Sequence, residues 1–381
     1  MEHAYIIDGR RSYIGVENGM YKHLPAEVLA AEVLCALVSE SVRQTVDEVI
    51  VGNGVGASGN IGRLATLTAH FPKVPAYTVD MQCGSGLEAL TIAAAKIKSG
   101  QADLIVAGGV DSSSTAPRRA YNRNHPDYER YGGEESFYSV AKFAPGDHDP
   151  YAMIRGAERV AVDTHMTRQE LNKWVLRSHT LAKQAREAGV LEPYLVGVQG
   201  AVADAGIRDR MSERFLDKLP PLLPGGAILT AGNTCLMHDG AAFLLVASKR
   251  YVEEHNLTPL AEIVDSVTVG GNPDKSPETA IFAIRKLLAK TGHTAEDIAV
   301  FECNEAFAVI DELFARAYPE AVDRYNRYGG ALAYGHPYGA SGGIITIHAC
   351  RALQETPGYA VCSIAAAGGI GHALLLRAGG M

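Results

Sequence analysis

Short apolar runs alternate along the chain with longer stretches in which apolar positions recur at helical spacing. Ala4–Asp8, Glu48–Val51 and Asp103–Ala107 are brief and rich in Ile, Val and Ala, a pattern that predicts buried strands. Between them Ala26–Ser39 and Leu87–Ser99 place apolar residues on one face of a helix. Strands that alternate with helices predict an α/β protein with a layered, mostly parallel sheet. Ile298–Cys303 repeats the strand pattern late in the chain.

The glycines, 40 in all, gather at turns after the β-like runs. One arrangement occurs twice. Cys83-Gly84-Ser85-Gly86, a helix and the run Ala102–Gly109 are echoed by Gly339-Ala340-Ser341-Gly342-Gly343, a helix and the run Tyr359–Gly369. Two similar halves would bring both glycine-rich loops to one crevice at the carboxyl ends of their strands, where open α/β sheets bind ligands. Between the halves, over 116–235, the chain turns polar, with Arg118, Arg119, Arg123, Asp127, Glu129, Arg130, Glu134 and Glu135 close together, and reads as an insertion. Its later part, Ala157–Gly189, has helical periodicity and ends near Pro193.

Composition narrows the functional classes. A chain of 381 residues with 47% hydrophobic content can bury a large core. Its net charge of −8 repels nucleic acid and anionic membranes, so an anionic ligand needs a local basic patch. No apolar run approaches membrane-spanning length, and the start of the chain has neither a basic segment nor an apolar core of the secretory kind. Six scattered cysteines (Cys35, Cys83, Cys235, Cys303, Cys350 and Cys362) form no metal-ligand spacing and no disulfide pattern. These features predict a protein of the reducing cytoplasm without metal, membrane or nucleic-acid partners.

Cys83 stands apart from the other five. It lies where a strand-like segment meets Gly84, Ser85 and Gly86 and a helix begins. Unpaired N–H groups and the positive end of the helix dipole favour a thiolate there, and the glycines let a ligand approach the sulfur. A thiol so placed is expected to be a nucleophile. Two further clusters carry candidate chemistry: Asn304-Glu305-Ala306-Phe307 after the strand Ile298–Cys303, and Gly335-His336-Pro337 within a loop crowded with glycine. Gly52–Gly59 lacks the full strand–loop–helix fingerprint of a dinucleotide site, and a Walker loop is absent.

These three motifs, in this order, make the chain resemble the thiolase family nearly from end to end. Less specific segments agree: Arg11-Ser12-Tyr13-Ile14-Gly15 near the start, and Thr230-Ala231-Gly232-Asn233 followed by Asp239-Gly240-Ala241-Ala242. The resemblance implies the thiolase fold, with two similar βαβαβαββ halves in an αβαβα layering. Residues 1–115 plus 236–255 would form the first half, 116–235 an inserted loop domain for coenzyme A, and 256–381 the second half. It also implies acyl transfer from coenzyme A to Cys83, with His336 taking the proton. Asn304 would hold a water that forms one oxyanion hole with His336 Nε2, while the N–H groups of Cys83 and Ala367 form a second. Acyl-CoA would be a substrate and no cofactor permanently bound; acetyl-CoA acetyltransferase is the expected label, fatty-acid metabolism the expected setting, and a homodimer or homotetramer the expected assembly. Arg208, Arg210, Arg214 and Lys218 would draw the coenzyme's phosphates, or else form a solvated helix face. Cys235 is expected near the thioester, or else packs.

The resemblance has one break. Most thiolases carry a second cysteine in a terminal glycine-rich loop, and here Ala365 stands at that place. A related branch puts it inside the Asn-Glu-Ala-Phe motif, where this chain has Ala306. Cys362 lies three residues before Ala365, Cys303 is expected to point away from the site, and His372 is a further candidate. Carbon–carbon bond formation needs a base at the thioester α-carbon, so a divergent acyltransferase or a weakly active subunit of an acyl-transfer assembly is the alternative.

Overall fold

The computed structural model describes residues 2–56, 59–130, 133, 137, 138, 140, 142–146, 148–235 and 237–379; Glu134 and Glu135 lie outside the described residues. The principal strands are β1 (Ala4–Ser12), β2 (Glu48–Gly52), β3 (Ala76–Val79), β4 (Leu104–Ser112), β5 (His238–Ser248), β6 (Ala261–Gly270), β7 (Ile298–Cys303), β8 (Tyr359–Ala366) and β9 (Ile370–Ala378). The main helices are α1 (Ala26–Leu37), α2 (Ile61–Thr68), α3 (Ser85–Lys98), α4 (Ala152–Asp163), α5 (Arg168–Glu187), α6 (Glu278–Thr291), α7 (Ala308–Ala317) and α8 (Tyr338–Glu355). The strands run β3-β2-β4-β5-β1-β6-β9-β8-β7 across one sheet.

That order is a palindrome of two units. Outward from the centre each unit places its first strand, its last, its penultimate and its second. In each, the last strand is antiparallel to both neighbours, while the penultimate and second strands are parallel, so the sheet is mixed rather than mostly parallel as the alternation of strands and helices predicts. The first unit ends on β3, and the second has only a parallel bridge between Phe301 and Tyr325 at the equivalent edge. The units meet where Tyr5 faces Glu262 and Ile6 faces Ala261 in a short antiparallel junction. The duplication heard in the glycine loops is therefore a duplication of topology.

Helices fill three layers around the sheet. α3 and α8 lie in the middle and share one core with the inner faces of both units, from Ile50, Ile105 and Leu244 to Cys362 and Leu374. α1 and α2 cover the outside of the first unit, α6 and α7 the outside of the second. Covered on both sides, β4 and β5 are buried at every position, which explains why they read as continuous apolar runs. The two central helices cross at glycines: a Cβ on Gly86 would stand 2.3 Å from the Gly339 carbonyl oxygen, and one on Gly342 would stand 2.1 Å from the Leu87 nitrogen. Only residues without a side chain permit this approach.

The segment between β4 and β5 supplies α4 and α5. The sequence predicts one helical stretch over Ala157–Gly189, but the chain breaks between Asp163 and Arg168 because Thr167 and Glu170 form a capping box and start a new helix. A buried, two-pronged ion pair joins this segment to the sheet: Arg11 of β1 donates to both oxygens of Asp204 at 2.8 and 3.0 Å. The same carboxylate accepts from the Ile14 N–H at 2.8 Å.

Candidate active site

Cys83 precedes α3 on a turn whose preceding residue, Gln82, has φ +52°. Ser85 staples that turn, accepting from the Met81 N–H at 2.8 Å and donating to the Gln82 carbonyl at 2.6 Å. Cys83 lines a cavity of about 500 Å³. His336 and Ala367 share its wall. These two belong to the second unit, so the site straddles the duplicated halves.

His336 is 2% exposed and held on three sides. Its Nδ1 lies 2.6 Å from Ser341 Oγ, and Nε2 lies 3.4 Å from the Asn304 amide nitrogen. With Nδ1–H donating to Ser341, Nε2 keeps a lone pair that can take a proton. Its backbone N–H donates to His238 Nδ1 at 3.2 Å. Gly335 has φ +115°, and a Cβ there would stand 2.3 Å from the His238 ring. Asn304 is itself fixed at the end of β7 by its N–H to the Ser363 carbonyl, 2.9 Å.

Below this group lies Asp111, fully buried on β4. Its carboxylate accepts from the N–H groups of Gly54 (2.8 Å), Val55 (3.0 Å) and Gly339 (2.6 Å) and from the Asn53 amide (2.6 Å). One carboxylate thus ties the loop after β2 to the first turn of α8. Burial pushes its pKa up to about 6 against the pull of those donors.

The electrostatics correct one expectation. Burial pushes the Cys83 thiol up to about 12, although the N–H groups of Ala367 and of Cys83 itself act in the opposite direction. His336 is pushed down to about 3, by burial first and by His238 second. Both directions favour a neutral thiol beside a neutral imidazole, loss of solvation acting against the helix terminus.

Cys235 lines the same cavity. Thr234 bridges to Phe307, and the Cys235 N–H donates to the Ala306 carbonyl at 2.9 Å, which seats the segment 233–235 on the Asn-Glu-Ala-Phe motif. The Cys235 sulfur lies 3.0 and 3.1 Å from the carbonyls of Glu305 and Ala331, and burial holds its pKa well above the usual thiol value. Val16, Thr234 and Cys235 also wall a second cavity of about 620 Å³, to which Arg208 and Arg210 contribute. Arg214 and Lys218 are exposed and stand outside that lining.

The remaining candidates lie elsewhere. Ala365 is buried beside Phe307 and Ala308 and is not part of the Cys83 cavity wall, whereas Ala306 is. Cys303 packs in the outer core under α6, and Cys362 in the central core. His372 is buried between Thr91 and Thr268, which contact its Nε2 at 2.9 Å and its Nδ1 at 2.8 Å. Ser341, His238, Asp111 and Ser85 act on the site and were not singled out from sequence. The Gly-His-Pro motif carries a signal for Ser341, which falls five residues after His336 at the first turn of a helix.

The N-terminal domain of thiolases matches residues 4–250, and the C-terminal domain of thiolases matches residues 257–378. The chain belongs to the thiolase family. A provisionally named acetyl-CoA C-acetyltransferase, YhfS of Bacillus subtilis (strain 168), is 35% identical over 379 residues, covering 98% of this chain and 99% of the relative. The thiolase fold recurs in a crystal structure of the Bacillus anthracis acetyl-CoA acetyltransferase, with a TM-score of 0.90, 30% identity and 99% of each chain covered. Acat5 thiolase from Ascaris suum, solved with coenzyme A, has a TM-score of 0.90 and 28% identity, covering 99% of this chain and 100% of its own. Among the described residues of this thiolase, no helix is long and apolar enough to cross a membrane.

Proposed function

We propose that this protein is an acyl-CoA acyltransferase that carries its acyl group on Cys83. The observation that supports this best is the cavity shared by Cys83 and His336, with the Ala367 N–H acting on the sulfur and Ser341 holding the far side of the imidazole. Cys83 Sγ attacks the thioester carbonyl of an acyl-CoA as its proton passes to His336 Nε2. The carbonyl oxygen gains negative charge and is stabilised by the N–H groups of Cys83 and Ala367, each contributing about 3 kcal/mol. Collapse expels coenzyme A, which takes the proton from the imidazolium. The acyl group then passes to a second acceptor, a ping-pong sequence in which Asn304 and His336 Nε2 hold a water as the other oxyanion donor.

The coenzyme would lie along Thr234 and Cys235, which line both cavities, with its phosphates toward Arg208 and Arg210 and with Arg214 and Lys218 adding attraction from the surface. In this reading 116–235 is the coenzyme-binding insertion between a first half (1–115 plus 236–255) and a second half (256–381). A homodimer or homotetramer working in cytoplasmic fatty-acid metabolism fits the family resemblance. Acetyl-CoA added to the intact protein is expected to raise its mass by one acetyl group, and Cys83→Ser is expected to abolish the gain. Persistent labelling of the variant refutes the nucleophile.

A second reading limits the chemistry to acyl transfer without the Claisen step. Ala365 and Ala306 offer no proton acceptor, and the Cys235 sulfur sits between two backbone carbonyls that disfavour a thiolate. Thiolysis of acetoacetyl-CoA by the purified protein distinguishes the two: measurable turnover favours the first reading.

A further inference from the structure

We propose that the Tyr338 hydroxyl is the proton-transfer group for carbon–carbon bond cleavage, giving its proton to the α-carbon of the acetyl-CoA that leaves when a ketoacyl-CoA is split. The inference rests on the acyl-enzyme reading above and names its substrate class, a thioester with a keto group beyond the α-carbon. Tyr338 opens α8 two residues after His336 and lines the Cys83 cavity. Its ring meets the imidazole edge to face, with centroids 5.0 Å apart and planes at 82°. It is half-buried, and among the described residues nothing hydrogen-bonds to its hydroxyl. A free phenol on a wall built largely of apolar side chains, such as Phe143, Met153, Leu222 and Phe307, is available to a substrate.

The other candidates are committed elsewhere. Ala306 and Ala365 have no proton to give, the Cys235 sulfur faces two carbonyls, and Cys303, Cys362 and His372 are packed or paired away from the cavity wall. Tyrosine is among the side chains that serve as general acids. Burial first, and then Cys83, Asp111, Cys235 and Glu17, push the Tyr338 phenol well above its ordinary pKa, so the hydroxyl keeps its proton at neutral pH. Cys83, Cys235 and Glu17 share the cavity wall with it, His336 lies beside its ring, and Arg119 brings a cation to the same wall. A carbanion beside a thioester is a far stronger base than a phenolate, so transfer from even this weakened acid runs downhill.

The exchange is balanced. Cys83 Sγ bonds to the keto carbon as its proton passes to His336 Nε2; the bond from that carbon to the α-carbon then breaks, and its electron pair takes the Tyr338 proton. The imidazolium proton returns to the phenolate, leaving acyl-Cys83 and acetyl-CoA. Coenzyme A then accepts the acyl group, its thiol proton passing through His336 back to Cys83. The test compares thiolysis of acetoacetyl-CoA by the intact protein with single-turnover acetylation of Cys83 by acetyl-CoA, followed by mass. Tyr338→Phe should lower the ratio of thiolysis to acetylation about 100-fold or more, a readout that general loss of folding does not move. Difluorotyrosine in place of Tyr338 keeps the ring and the hydroxyl but is more acidic, and should shift the alkaline fall of the thiolysis rate toward neutrality by about one pH unit or more. Glu17→Gln is the comparison, because Glu17 puts a carboxyl group on the same wall. An unchanged ratio in Tyr338→Phe, an unmoved alkaline fall, or loss of the ratio in Glu17→Gln alone overturns the tyrosine and leaves the acyltransferase reading standing. Labelling of Cys83 without any thiolysis by the parent protein does the same. Failure of acetyl-CoA to label Cys83 overturns the acyl-enzyme reading itself.

Discussion

Gly342→Ala adds one methyl group remote from the reacting atoms, yet it should slow the enzyme. In an isolated helix this change stabilises by about 1 kcal/mol. Here the new Cβ would stand 2.1 Å from the Leu87 nitrogen and 2.7 Å from the Gly86 carbonyl carbon, against an ordinary contact of 3.4–4 Å. Both opposing atoms are backbone, so no rotamer change relieves the clash and α8 must part from α3 by about 1 Å. Overpacking of this kind costs ~1–3 kcal/mol, which reverses the sign expected from helix propensity. The functional cost is larger, because α3 begins beside Cys83 and α8 begins beside His336. A displacement of about 1 Å between reacting groups can slow a reaction ~100-fold. The thermal midpoint and the single-turnover acylation rate of Cys83 measure the two effects. Gly270→Ala is the control, since a Cβ there meets nothing within 4 Å. If Gly342→Ala melts at or above the parent protein and acylates at the same rate, the helix-crossing argument is wrong.

Three further outcomes follow from the geometry. Ser341→Ala leaves His336 Nδ1 without its 2.6 Å partner, a loss of ~1–3 kcal/mol in a buried site. Acylation should fall five- to 150-fold, and Ser341→Thr should restore part of it; a general packing defect would not be rescued by the hydroxyl. With the Cys83 thiol near 12, alkylation of the resting protein by iodoacetamide should climb with pH through 10, because the thiolate fraction keeps growing until the folded pKa is reached. A plateau below pH 8 would mean a depressed thiol and an ion pair with His336. Ala365→Cys is expected to raise thiolysis or condensation of acetoacetyl-CoA, measured by thioester absorbance, and an unchanged rate counts against Ala365 as the cause of a missing base.

The site's members were legible in sequence to different degrees. Cys83, Asn304 and His336 sit in short motifs whose glycines and helix starts are local features. Their turn chemistry is written within a few residues, and the strand Ile298–Cys303 coincides with β7. Arg208 and Arg210 proved to line one cavity while their neighbours Arg214 and Lys218 do not, a distinction that depends on which way a short segment faces. Cys235 could be placed near the motif only by resemblance, because its position is set by the pairing of Thr234 with Phe307.

The amino-acid order alone determined the alternation of strands and helices, the duplicated glycine loops and the types of group available for chemistry, since each depends on neighbours along the chain. Folding decided the rest. The mirrored strand order, the crossing of α3 and α8 and the support of His336 by Ser341 all join residues from separate segments. The charge state of the sulfur shows the division best. A helix start argues locally for thiolate, but burial among groups from both halves removes the solvent that a thiolate needs and pushes the Cys83 thiol the other way.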